Sequence, residues 1–148
     1  MSTRTFAMIF GIVFLAVGVL GFVPYSPVGR GFLTGQIRSK ADLPADDWRH
    51  NDPRYSEENF GTNLRIVEVV RGVADRHGAS PARVALAWLL AQGDDVVPIP
   101  GSKRRATLED SAAAADLALT ADDLGELDAA RAVQGPRYGA LGMRMVRL

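Results

Sequence analysis

The stretch VPIPGSKRRATLEDSAAAADLALTADDLGELD, residues 97–128, decides how the fold is read. With Val96 it opens on a short apolar run bounded by Asp95 and Pro100, and its β-branched content predicts a buried strand over residues 96–99. A glycine turn follows, then a hydroxyl and three consecutive basic residues leading into a helix. A helix start points unpaired N–H groups outward and carries partial positive charge. Ser102 as cap, with Lys103, Arg104 and Arg105 beside it, therefore makes a candidate phosphate seat. A solvated basic turn is the plainer alternative, since no glycine-rich P-loop is present. Thr120 then caps a last helix with Asp123 at the capping-box position, and Leu124 and Leu127 are expected to face inward.

Upstream, Leu64, Val67, Val70 and Ala74 recur at three- and four-residue spacing, with Gly78 where a C-terminal cap would sit. Ser80 and Pro81 give an N-cap and first-turn proline for a second helix through ARVALAWLLAQ, ending before Gly93. Trp88 on that helix reads as core rather than as a ligand site. Between Pro24 and about Asn59 the chain is polar and broken by Gly29, Gly31, Gly35, Pro44 and Pro53, the pattern of a long loop. The tail beyond Gly135 has no clear period.

From residue 6 to residue 23 the chain runs FAMIFGIVFLAVGVLGFV without a charge. As a helix that run would cover about 27 Å, close to a bilayer core. A transmembrane helix is the leading reading, with a buried strand or core helix and a signal peptide as alternatives. Arg4 alone precedes the run while Arg30, Arg38 and Lys40 follow it, so the positive-inside rule expects the C-terminal part in the cytoplasm.

Composition narrows the function classes. The chain has 148 residues, enough for one modest core. Its 17 Lys and Arg balance 17 Asp and Glu, so no global field favours nucleic acid, and no nucleic-acid partner is expected. Cysteine is absent and the two histidines, His50 and His77, have no metal-ligand spacing, so no metal site is expected.

Three blocks in order, LGFVPYSPVGRGFLTG (20–35), SPARVALAWLLAQ (80–92) and residues 97–128, together with the tail GPRYGALGMRMV (135–146), resemble the last third of aldo-keto reductases. The resemblance implies an α/β fold: part of a TIM-type (β/α) barrel, comprising strands seven and eight with their helices, where the loops after those strands recognise phosphate. Two regions are thus expected, an apolar segment over residues 1–23 and a cofactor-binding part over residues 20–148. Residues 20–23 are claimed by both and cannot serve both.

By resemblance the cofactor is NADP. Tyr25 would stack on the nicotinamide, while Ser26, Val28 and Arg30 would line the pyrophosphate, with Val28 standing where leucine is usual. Gly101, Ser102 and Lys103 would hold the adenosine 2′-phosphate, Thr107 would lie over it, and Asp110 and Ser111, where Glu-Asn is usual, would lie near the adenine. The family's catalytic tyrosine, aspartate, lysine and histidine belong to the first half of the barrel, so no catalytic residue is assigned. Two parallel strands leave open backbone edges, which implies a complementing chain or a homo-oligomer. The competing functional expectations are an NADP-binding part of an oxidoreductase, a membrane-anchored interaction protein without catalysis, and a degenerate fragment.

Overall fold

Ser56 opens the longest helix by accepting the amide of Asn59 at its side chain, which satisfies one of the orphan donors of the first turn. This helix, α1 (Glu57–His77), closes at Gly78, whose φ of 57° is the left-handed conformation that a C-terminal cap requires. The computed structural model describes residues 21–130 and 133–146. Val67, Val70 and Ala74 are buried on α1 as the periodicity predicts, Leu64 is only partly buried, and Phe60, Asn63 and Val73 complete the buried stripe.

Helix α2 (Pro81–Leu90) starts at Ser80, which accepts the amide of Arg83, and it buries Val84 to Ala87. Val84 packs with Val70, Val73 and Ala74 of α1, so the two helices share one core. Helix α3 (Arg105–Ala112) runs into a 3-10 turn, Ala113–Asp116, whose Ala114 packs on Leu86 and Ala87. Helix α4 (Ala121–Ala129) carries the expected capping box between Thr120 and Asp123. Asp123 also accepts from Arg76 and His77, tying the end of α1 to the start of α4. The Thr120 hydroxyl, then His77, then Arg76 hold its carboxyl well below the usual aspartate range. A short helix α5 (Ala140–Val146) closes the chain.

The span read as a long loop is built differently. It consists of 3-10 turns, Gly29–Thr34, Lys40–Asp42, Trp48–Asn51 and Pro53–Tyr55. Phe32, Ile37, Leu43 and Tyr55 from this span are buried against Phe60 and Val67. Phe32 and Tyr55 meet edge to face at 5.1 Å. Their irregular spacing leaves no period to detect, yet each finds a place in the core.

Two extended segments pair in parallel, Phe22 with Val96 and Tyr25 with Ile99. The Phe22 amide donates to the Asp95 carbonyl at 2.8 Å, and the Val97 amide donates to the Phe22 carbonyl at 2.9 Å. Residues 21–23, which a membrane span would need, are therefore extended and part of this pair; the rest of the segment, residues 1–20, lies outside the described residues. No helix among the described residues is long and apolar enough to cross a membrane.

The buried strand expected over residues 96–99 is corrected. Val97 is 54% exposed and Ile99 50%, because among the described residues no further strand pairs beside these two segments.

Gly21 sets how closely the segments approach. Its φ is 143°, and a Cβ there would lie 1.9 Å from the Asp95 carbonyl oxygen. Gly21→Ala is expected to destabilise the chain by about 2 kcal/mol or more in chemical denaturation. Gly125→Ala, where a Cβ meets open space in α4, is expected to be neutral or slightly stabilising. Equal midpoints for the two variants would contradict the close pairing.

Candidate functional site

Because the pairing is parallel, the turns after Tyr25 and after Ile99 leave at the same end of the segments. The first turn is conformationally demanding. Ser26 (φ 52°) and Arg30 (φ 60°) are non-glycine residues in the left-handed region, beside Gly29 (φ 60°) and Gly31 (φ 94°). Such backbone costs on the order of 1–3 kcal/mol per non-glycine residue and persists only where its surroundings fix it.

Here the surroundings do so. The Gly29 amide donates to the Ser26 carbonyl at 3.0 Å, and Arg49 Nη1 donates to the Arg30 carbonyl at 3.0 Å. Arg30 Nη1 meets Asp52 Oδ2 at 2.5 Å, with the Asp52 side chain only 1% exposed. The Arg30 guanidinium also lies 5.1 Å from the Trp48 ring and 4.8 Å from the Tyr138 ring. Val28 turns inward against the core of Leu86, Ala87 and Ala114. Tyr25 stays more than half exposed; Arg137 donates to its carbonyl and sits 5.2 Å above its ring.

The second turn is open. Gly101, Ser102, Lys103 and Arg104 are all exposed. The expected capping by Ser102 is corrected: α3 begins at Arg105, so Arg104 holds the cap position and makes no side-chain capping bond. Ser102 lies two residues too early and donates its hydroxyl to the Arg104 carbonyl at 2.9 Å. Arg105 pairs with Glu109 one turn on, at 2.7 Å. Lys103 and Arg104 have no carboxylate partner among the described residues.

Thr107, Asp110 and Ser111 sit half-buried on α3. Asp110 is already engaged, taking the Ser80 hydroxyl at 2.5 Å and Arg83 Nη2 at 2.7 Å, which fastens α3 to the start of α2.

Tyr25, Ser26 and Arg30 line a cavity of about 240 Å³, together with Asp52, Arg54 and Arg137. Val28 and the residues from Gly101 to Ser111 are not part of its wall. Sequence reasoning missed Asp52, Arg54, Arg137 and Tyr138. The available signals were weak: an Asp-Pro start at residues 52–53, and an Arg-Tyr pair in a tail without period. The histidines have structural partners. His50 Nε2 lies 2.9 Å from the Pro44 carbonyl, and His77 bonds Asp123.

The Aldo/keto reductase family profile matches residues 17–132. The chain belongs to this family. It is 44% identical over 119 residues to the aldo-keto reductase yakc of Schizosaccharomyces pombe, whose name specifies NADP(+), covering 78% of this chain and 35% of that protein. To the aldo-keto reductase str7 of Strobilurus tenacellus it is 36% identical over 127 residues, covering 84% of this chain and 38% of that one. The structure superposes on a glycerol dehydrogenase from Gluconobacter oxydans with TM-score 0.64 and 27% identity, over 73% of this chain and 33% of that one. The chain thus spans about a third of the length of the curated relatives it matches. The match begins inside the apolar run, so residues 17–23 of that run belong to the family rather than to a foreign segment.

The Arg30–Asp52 pair joins the strained turn to the 3-10 segments 22 residues on. Asp52→Ala leaves a largely buried guanidinium without its carboxylate and is expected to cost about 3 kcal/mol. A denaturant midpoint showing less than about 1 kcal/mol would mean that the pair does not hold the turn.

Proposed function

We propose that the chain is the coenzyme-orienting part of an NADP-dependent aldo-keto reductase. The observation that carries this reading is the parallel register of Tyr25 with Ile99, which puts a strained turn and a basic turn at one end of the pair. Tyr25 offers an exposed ring to the nicotinamide, while Ser26, Val28 and Arg30 shape the turn beside the pyrophosphate. Gly101, Ser102 and Lys103 meet the 2′-phosphate, and Thr107, Asp110 and Ser111 frame the adenosine end from α3.

The residues present fit that group. Lys103 and Arg104 are exposed cations without ion-pair partners at a helix start, a setting that favours an added phosphate. Asp110 acts mainly by fixing α3, since Arg83 and Ser80 already occupy both its oxygens. These residues would hold a reduced nicotinamide, which would supply the hydride for a carbonyl substrate. Tyr25, Ser26, Val28 and Arg30 orient it, and the acid that protonates the carbonyl oxygen is not among them.

A complementing partner belongs to the same reading. Phe22, Tyr25, Val97 and Ile99 expose apolar area along both extended segments. Strands from the rest of a barrel would pair the open edges of the two segments and take this apolar area out of water.

The test is a titration of the full chain with NADPH and NADH, followed by Trp48 and Trp88 fluorescence. Saturable binding that favours NADPH is expected, and K103Q with R104Q is expected to weaken NADPH about tenfold while leaving NADH nearly unchanged. Equal loss for both nucleotides would overturn the 2′-phosphate assignment; no binding of either would overturn the coenzyme role.

A further inference from the structure

We propose that Arg54 and Arg137 form a binding site for a small oxyanion, a phosphate or carboxylate group, in the cavity between the first turn, α1 and the C-terminal tail. The charge balance of the wall is the first reason. Arg30, Arg54 and Arg137 line it against one carboxylate, Asp52. That carboxylate is already committed to Arg30 at 2.5 Å.

The second reason is what the other two guanidiniums lack. Arg54 Nε makes one long bond to the Gly135 carbonyl, at 3.4 Å, and has no carboxylate partner among the described residues. Arg137 spends its polar contacts on the Tyr25 carbonyl and ring, also without a carboxylate. Both are half-buried. Burial, then the charges of Arg137 and Arg30, lower the pKa of Arg54 from its usual value, against the opposing pull of Asp52. Half-buried like charges are costly unless an anion joins them, and a planar guanidinium fork suits two oxygens of a carboxylate or phosphate.

Size and lining narrow the occupant. At about 240 Å³ the cavity is below the usual range for drug-sized ligands, so it takes one oxyanion group rather than a whole dinucleotide. Phe32, Leu33, Ile66 and Leu89 give it apolar walls that would receive a short hydrocarbon body. The source of the oxyanion is either a separate small molecule or one phosphate of a nucleotide reaching in from the turn.

The probe is inorganic phosphate, titrated calorimetrically into the full chain at constant ionic strength. Saturable binding is expected, and R54Q and R137Q are each expected to weaken it about tenfold or more while R65Q, at an exposed position of α1 outside the cavity wall, leaves it unchanged. Thermal melts check that each variant unfolds cooperatively. Where a glutamine variant does not, R54K and R137K replace it, since they keep the charge but lose the fork.

Absence of saturable phosphate binding overturns the proposal, as does binding that changes less than about twofold in both arginine variants. Repeating the titration with saturating NADP+ separates the sources. Unchanged phosphate affinity assigns the site to a separate small oxyanion, and displacement assigns it to a coenzyme phosphate; either supports the site. Phosphate binding that survives when neither nucleotide binds would overturn the coenzyme reading and leave this site standing.

Discussion

The rest of the structure depends on the close parallel contact between residues 22–25 and 96–99. It requires glycine at position 21, because the Asp95 carbonyl occupies the space where a side chain would begin. It also fixes register: Phe22 faces Val96 and Tyr25 faces Ile99, three residues further along both segments. A parallel pair sends both following turns out at the same end, which is how two loops more than 70 residues apart come to share one region. The helices serve this arrangement. Cores between α1 and α2, and between α2 and the turn after α3, hold the chain that leads into and out of the pair.

At that end the two turns are built by opposite means. The first is strained and heavily restrained, with Ser26 and Arg30 held left-handed by Arg49, Asp52 and a tail that lays Tyr138 over Arg30 and Arg137 over Tyr25. The second is exposed and lightly restrained, with Lys103 and Arg104 lacking acidic partners. A rigid turn beside a free cationic one suits a ligand that needs one end oriented and the other neutralised. The tail thereby becomes part of the cavity wall beside that turn, although Arg137 lies 112 residues from Tyr25 in sequence.

Local chemistry was legible in the sequence. Ser80, Thr120 and Gly78 act as the caps that their positions predict, and Val67, Val70 and Ala74 form the buried stripe that their spacing predicts. The resemblance carried by the three blocks agrees with the family to which the chain belongs. What the sequence hid was non-local or aperiodic. Arg30 with Asp52 and Arg137 with Tyr25 are contacts made through space, and nothing within a turn of either residue announces them. Ile37, Leu43 and Tyr55 are buried without regular spacing, so their span looked like an open loop. Ser102 was misplaced as a cap because α3 starts three residues beyond it, a boundary shift that hydroxyl-to-helix patterns do not resolve.

Residue-resolved amide hydrogen exchange on the full chain tests the central pairing most directly. The Phe22 and Val97 amides, which donate to the Asp95 and Phe22 carbonyls, are predicted to be protected well above the exposed turn amides of Lys103 and Arg104. Exchange of Phe22 and Val97 as fast as in an unstructured chain, with the α1 and α2 amides still protected, would mean that the parallel contact does not form and that the two turns are not held together.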